Sequence, residues 1–390
     1  MSPAIGIDDL AFATGSFRID LAVLAARLGA DPEKYYRGLG QSEMSVVAED
    51  EDIVTMGAAA AQQILDRSGG AGVRTLMFAT ETGIDQSKAA GVYAHRLLGL
   101  GPNVRVVELK QACYSATAAM QFAVALVARD PSEKVLVIAS DIARYQLDSA
   151  AEPTQGAGAV AFTVAANPAL LELHPANGVY TDDVMDFWRP NHSTTAIVDG
   201  KSSITAYLDA VAGAFDDYLA HGGVPFEQID RFCYHQPFTK MAVKAHRHLA
   251  ARAGSELDPA ALQAQIEPTM GYNRRIGNSY TASVYLALLA LLDGDEDLTG
   301  KRVAIASYGS GAVAEFLTGT VADGYRAGLR RAENEERLTG RTPVDDAAYL
   351  ALQRTAARPD PSNFETARQT PSPFRFGGVR QDQRVYEPTA

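Results

Sequence analysis

Short apolar runs alternate with stretches of helical periodicity along most of this chain. Ile5–Thr14 is apolar and ends in turn residues, so it reads as a strand. Ile53, Met56, Ala60 and Ile64 recur at helical spacing and predict a helix over 53–66. A buried strand, Val73–Thr80, leads straight into Glu81, and a helix near Gln86–Leu98 follows. Strand Val104–Leu109 ends just before Cys113. The Ala-rich segment Cys113–Ala128 predicts a tightly packed buried helix, and Lys134–Asp141 a further strand. Strands alternating with helices predict an α/β protein with a largely parallel sheet and helices on both faces.

The second half repeats this order. A helix over Ile204–His221 precedes strand Ile229–His235, and an Ala/Leu helix follows Gly277-Asn278-Ser279. Strand Arg302–Tyr308 closes the series. Glu81 and His235 are 154 positions apart, Cys113 and Asn278 165, and Ser140 and Ser307 167. Near-constant offsets point to an internal duplication. A pseudo-twofold axis would then gather Glu81, Cys113, His235 and Asn278 at the carboxyl ends of their strands, where open sheets place their sites. Gly156-Ala157-Gly158 reads as a turn before strand Val160–Val164, with no helix after it to make a dinucleotide fingerprint. Beyond Ala357 the pattern fades; Arg358–Ser362 and Thr370–Gly378 read as an irregular tail without chemistry of its own.

Composition narrows the function. The longest apolar stretch, Val284–Leu292, is far short of the about 20 residues a membrane span needs. The N-terminus has no secretory pattern, which together implies a cytoplasmic protein away from membranes. A net charge of −12 argues against nucleic-acid binding, which needs a basic face. Cys113 and Cys233, the two cysteines, form no disulfide framework and sit in no metal-ligand spacing.

Cys113 lies at a strand end immediately before a helix, where orphan N–H donors and the positive dipole end favour a thiolate. That is the position of a thioester-exchanging nucleophile. Cys233, mid-strand between Phe232 and Tyr234, reads as a core residue. His235 ends its strand as a structural residue, a proton shuttle or a donor to an acyl oxygen. Glu81 is an exposed loop residue or a pocket acid tuned by apolar walls. Ser307–Gly311 offers backbone N–H groups for an oxyanion hole. Lys240, Lys244 and Arg247, with His246 and His248 beside them, form a basic run on a helix over 238–250. The run is a solvated face or a seat for phosphates.

Several of these segments together are highly specific: Gly38-Leu-Gly-Gln-Ser-Glu-Met44, Ala79-Thr-Glu-Thr-Gly-Ile-Asp85, Glu108-Leu-Lys-Gln-Ala-Cys-Tyr-Ser-Ala-Thr117, Asp186-Phe-Trp-Arg-Pro190, His235-Gln-Pro-Phe-Thr-Lys240, Gly277-Asn-Ser-Tyr-Thr-Ala-Ser283 and Ser307-Tyr-Gly-Ser-Gly311. Over roughly residues 3–325 the chain resembles the compact bacterial form of the hydroxymethylglutaryl-CoA synthases, in the thiolase-like superfamily. The resemblance implies a duplicated five-layered αβαβα architecture. Its halves would span 1–168 and 169–330, followed by a C-terminal extension over 331–390. It implies acetyl transfer from acetyl-CoA to Cys113, binding of acetoacetyl-CoA with its carbonyl on His235, and Glu81 as the base that makes the acetyl carbanion. The oxyanion hole would be the N–H groups of Cys113 and Ser310. Substrate contacts would fall on Tyr145, Thr154, Phe187, Ser203, Lys240, Lys244, Asn278 and Ser310. The resemblance further implies a homodimer and no metal or other cofactor, the CoA thioesters being substrates. Glu152-Pro-Thr-Gln-Gly156 departs from the family pattern.

Three rivals share part of this set. A carrier-protein-dependent synthase that installs β-branches on polyketides uses the same Cys, His and Glu. An initiating ketoacyl synthase uses Cys, His and Asn, but makes its carbanion by losing CO2 and needs no base at Glu81. A non-catalytic thiolase-like scaffold would have no use for three intact reactive positions.

Overall fold

The computed structural model describes residues 3–356 and 362–389. Strands β1 (Ile5–Thr14), β2 (Val73–Ala79), β3 (Arg105–Leu109), β4 (Lys134–Ala143) and β5 (Gly156–Ala166) build one half of a nine-stranded sheet. Strands β6 (Leu171–Thr181), β7 (Arg231–Tyr234), β8 (Arg302–Gly309) and β9 (Val313–Val321) build the other. The order β3-β2-β4-β5-β1-β6-β9-β8-β7 reads the same way outward from its centre, β1 matching β6, β5 matching β9, β4 matching β8 and β2 matching β7. This is the twofold repeat expected from the residue offsets.

The sheet is mixed rather than largely parallel. Only β2–β3, β2–β4 and β7–β8 pair in parallel. A direct turn joins β8 to β9, and a direct return of this kind permits only antiparallel pairing.

Side chains alternate across each half-sheet and so define the layers. In β2 and β4, Leu76, Phe78, Leu136 and Ile138 face α1 (Ile53–Ser68) and α2 (Ala90–Leu97), while Met77, Val135 and Val137 face inward. In β7, Phe232 and Tyr234 face α4 (Gly200–Ala220) and α5 (Met241–Ala253), while Cys233 faces inward. Helices α3 (Ser115–Arg129) and α6 (Ser283–Leu292) fill the space between. Every residue of α6 is buried, which explains why its pattern is apolar all round. The result is helix, sheet, helix, sheet, helix, with Cys233 in the core as expected.

Most predicted elements appear with shifts of a few residues. The helix placed at 86–98 begins only at Ala90, because Asp85 accepts the N–H groups of Ser87 and Lys88 and holds that stretch in a turn. Gly156–Gly158 is not a turn but the start of β5. A Cβ at Gly156 would lie 2.4 Å from the Ile276 carbonyl oxygen, and one at Gly277 (φ 85°) would lie closer still, 1.9 Å from the Gln155 carbonyl oxygen. These glycines let the two halves meet.

The C-terminal segment is more regular than its composition suggests. Helices 331–339 and 346–356 are followed by a three-stranded sheet, Phe364–Glu365, Phe374–Arg380 and Gln383–Pro388. The expectation for Arg358–Pro361 lies outside the described residues. Arg375 anchors this sheet through Asp50, both side chains buried, and Arg384 and Tyr386 bond Asp52, the N-cap of α1.

Candidate active site

Cys113 sits between β3 and α3, two residues ahead of the first helical turn. Ala112 before it has φ 44°, a left-handed conformation that costs a non-glycine residue about 1–3 kcal/mol. On the opposing half, Tyr280, two residues after Asn278, has φ 45°. Each half thus brings one left-handed residue to the place where the two halves face each other.

The Cys113 sulfur donates to Glu81 Oε2 at 3.7 Å. Glu81 follows β2, and its backbone N–H donates to Asp141 Oδ1 at 2.9 Å. Asp141 is fully buried at the end of β4 and also accepts from Thr80, Thr82 and Thr281, so it ties both halves together beneath the site. Arg189 donates to the Glu81 carbonyl at 2.6 Å and lies 3.6 Å from Glu81 Oε1. Burial, helped by the Asp141 charge and opposed by Arg189 and the Cys113 hydrogen bond, pushes the Glu81 carboxyl up to about 8.

The thiol does not have the lowered pKa expected of its place ahead of a helix. Burial and the neighbouring Glu81 carboxylate hold it above the ordinary range. The dipole effect is confined to the first turn and is the smaller term against a buried carboxylate in contact. The proton on sulfur therefore needs an acceptor during reaction.

His235 follows β7 and is buried; burial alone lowers its imidazole to about 3, so the ring is neutral. Its backbone is fixed by the Ala306 carbonyl and the Tyr207 hydroxyl, while Nδ1 has no protein partner. Asn278 is pinned by its own loop: its Oδ1 accepts the Tyr280 N–H at 2.9 Å and its Nδ2 donates to the Tyr145 hydroxyl at 3.2 Å. Behind Ser310, Asp186 accepts from the Gly311 N–H, the Tyr308 hydroxyl and Ser203 Oγ, and so braces the turn after β8.

A cavity of about 480 Å³ joins these groups. Of the residues expected from sequence, Cys113, Tyr145, Thr154, Phe187, Ser203, His235, Lys244, Asn278 and Ser310 line it. Glu81 meets it through the Cys113 sulfur. Lys240 lies instead in an adjoining recess of about 690 Å³, together with Arg37, Lys244, Arg247 and Arg274. His246 is not part of this basic face: it is fully buried, bonded to Tyr234 and Gln265, and lowered to about 4. The helix starts at Met241, which turns His246 toward the core and leaves Lys244 and Arg247 in the recess.

Asp141, Asp186 and Arg189 were not expected as site residues. Asp186 and Arg189 do lie in the distinctive segment around Trp188, which was their available signal. Nothing local marks Asp141, since its partners Thr80 and Thr281 are distant in sequence.

A buried thiol touching a carboxyl, a neutral imidazole, backbone N–H groups at the cavity wall and a basic recess can exchange thioesters and abstract a proton beside the bound acyl group. The comparisons agree. The models for the N-terminal and C-terminal parts of hydroxymethylglutaryl-coenzyme A synthase match residues 2–169 and 174–352. The chain is 42% identical over 351 residues to the Hydroxymethylglutaryl-CoA synthase of Enterococcus faecalis, covering 89% of this chain and 91% of that one. It is 35% identical to the polyketide 3-hydroxy-3-methylglutaryl-ACP synthase PksG of Bacillus subtilis, covering 89% and 87% of the two chains. A solved structure of MvaS with 3-hydroxy-3-methylglutaryl coenzyme A superposes with a TM-score of 0.90 at 37% identity, over 100% of both chains. This chain belongs to the hydroxymethylglutaryl-CoA synthase family, condensing acyltransferases built on a thiolase-like fold.

Proposed function

We propose that the protein condenses acetyl-CoA with acetoacetyl-CoA and water to give (S)-3-hydroxy-3-methylglutaryl-CoA and CoA. The Cys113–Glu81 contact at 3.7 Å, at the wall of a cavity shared with His235, carries this reading. The Cys113 sulfur attacks the acetyl carbonyl, and the thiol proton leaves with CoA. The N–H groups of Cys113 and Ser310 hold the oxyanion. Acetoacetyl-CoA then enters, and neutral His235 donates to its C3 carbonyl oxygen. Glu81 takes a methyl proton from acetyl-Cys113; the carbanion adds to C3, and the resulting alkoxide takes up the proton that Glu81 removed, which returns the base to its carboxylate form. Water cleaves the thioester and restores the thiol.

Tyr145, Thr154, Phe187, Ser203 and Asn278 would shape the acyl pocket, and Lys240 and Lys244 would seat the CoA phosphates. Five cations around one recess, of which Arg274 pairs with Glu267 and Arg37 with Glu33, suit the several phosphates of CoA better than the single phosphate of a carrier-protein arm. No cofactor is needed for any step. The mevalonate route to isoprenoids would use this product.

Among the described residues no helix is long and apolar enough to cross a membrane. The site of action in this reading is the cytoplasm. Residues 1–168, 169–330 and 331–390 serve as two catalytic halves and an extension. Strand β3 is an open sheet edge, and Val107 on it and Phe122 on α3 are 41% and 56% exposed, which suits a homodimer interface.

The test is mass spectrometry of the Cys113 peptide after mixing with acetyl-CoA, together with the absorbance loss of acetoacetyl-CoA. An acetyl adduct and turnover, both lost in Cys113→Ser, are expected. Turnover only with acetoacetyl on a carrier protein would favour the polyketide reading.

A further inference from the structure

Tyr349 lies on the helix 346–356, outside the duplicated body, and its side chain is fully buried. Its hydroxyl donates to Glu152 Oε1 at 2.9 Å and accepts from Gln155 Nε2 at 2.8 Å. Gln155 Oε1 in turn accepts the Tyr145 N–H at 2.6 Å, and Glu152 Oε2 accepts the Asp148 N–H at 2.6 Å. Arg27 closes the outer side by pairing with Glu152, Asp148 and Asp346.

The segment so held, 145–155, is one wall of the central cavity, to which it contributes Tyr145, Ser149, Ala150, Ala151 and Thr154. Both of its ends meet Asn278: the Tyr145 hydroxyl accepts from Asn278 Nδ2 at 3.2 Å, and the Thr154 carbonyl accepts the Asn278 N–H at 3.0 Å. Glu152 and Gln155 belong to the stretch that departs from the family pattern, and both are buried. Tyr349 does not line the cavity itself.

We infer that Tyr349 is a positioning residue for the condensation, holding the 145–155 wall in register with Asn278 through Gln155. The inference rests on the reading of this cavity as the acetoacetyl-CoA pocket. Removing the hydroxyl leaves Gln155 Nε2 without its acceptor and Glu152 with one donor fewer, and both of these side chains are buried. The Gln155 side chain, which joins the two ends of the wall, then loses the anchor that holds it in place. Acetylation brings a single thioester to the sulfur. Condensation must align acetyl-Cys113, the acceptor carbonyl and the wall together, where a displacement of about 1 Å can cost about 100-fold.

The experiment compares Tyr349→Phe with the unmodified enzyme and with Tyr325→Phe. Tyr325 is another buried tyrosine with two hydrogen bonds, to Leu298 and Glu296, remote from the cavity. Tyr349→Phe should raise the KM for acetoacetyl-CoA about tenfold while the single-turnover rate of Cys113 acetylation changes less than about twofold. Tyr325→Phe should lower Tm without changing either constant. Gln155→Leu should show the same KM rise, and the double variant should show no further rise, because both act through one chain.

An unchanged KM in Tyr349→Phe would overturn the inference, as would an equal rise in Tyr325→Phe or effects that multiply in the double variant. Failure of the unmodified enzyme to acetylate Cys113 would instead overturn the reading of the cavity on which it rests.

Discussion

Glu81→Gln separates the two things that burial does to this carboxyl. A buried acid raised from 4.5 to about 8 is favoured in its neutral form when folded. Its contribution to stability is therefore present at low pH and is lost as pH rises from the unfolded value toward 8. The full difference is at most about 5 kcal/mol above pH 8. Glutamine keeps the shape and carries no charge, but gives up the pairing with Arg189, a partly exposed contact worth about 1 kcal/mol. The net expectation is about 2–4 kcal/mol of added stability at pH 9, shrinking to almost nothing near pH 5. Thermal unfolding of both proteins from pH 5 to 9 measures this, and the Tm difference should widen steadily with pH. The same variant should still acetylate Cys113, while condensation falls by about 100- to 10,000-fold with loss of the base. A Tm difference that is flat or reversed with pH would refute the burial argument. Near-normal condensation would refute the role of Glu81.

Further expectations follow from the same geometry. Because His235 stays neutral down to about 3, the condensation rate should rise with pH on the single ionisation of Glu81 near 8; a second, acidic limb near 6.5 in the rate profile would contradict this. Lys244→Ala should raise the KM for CoA thioesters about 10- to 100-fold, and added salt should narrow the gap from the unmodified enzyme, as expected for a lost charge-assisted phosphate contact. Arg375→Ala leaves Asp50 buried without its cation and should cost about 3–5 kcal/mol. Denaturant unfolding would show that loss, and an unchanged midpoint would mean the C-terminal sheet is only loosely attached.

Local pattern was enough to place most strands and helices, the duplication and the central residues Glu81, Cys113, His235 and Asn278. Strand periodicity and the position of a residue at a strand end are short-range properties, so they survive in one dimension. Even the all-apolar run of α6 carried its meaning, since a helix of that length with no polar face has to lie inside the fold.

Tertiary structure decided what depends on contacts between distant segments. The mixed sheet arises because β5 and β9 return beside their neighbours, a choice that pattern alone does not state. The thiol's raised pKa has the same origin: the helix dipole is visible in sequence, but the carboxyl group 3.7 Å away comes from another strand. Asp141 acquires its place only when Thr80 and Thr281, from opposite halves, converge on it. The tail looked irregular because its order comes from Asp50 and Asp52, more than 300 residues earlier in the chain. Cys113 was legible as the nucleophile; its proton, its partner and the wall that faces it belong to the fold.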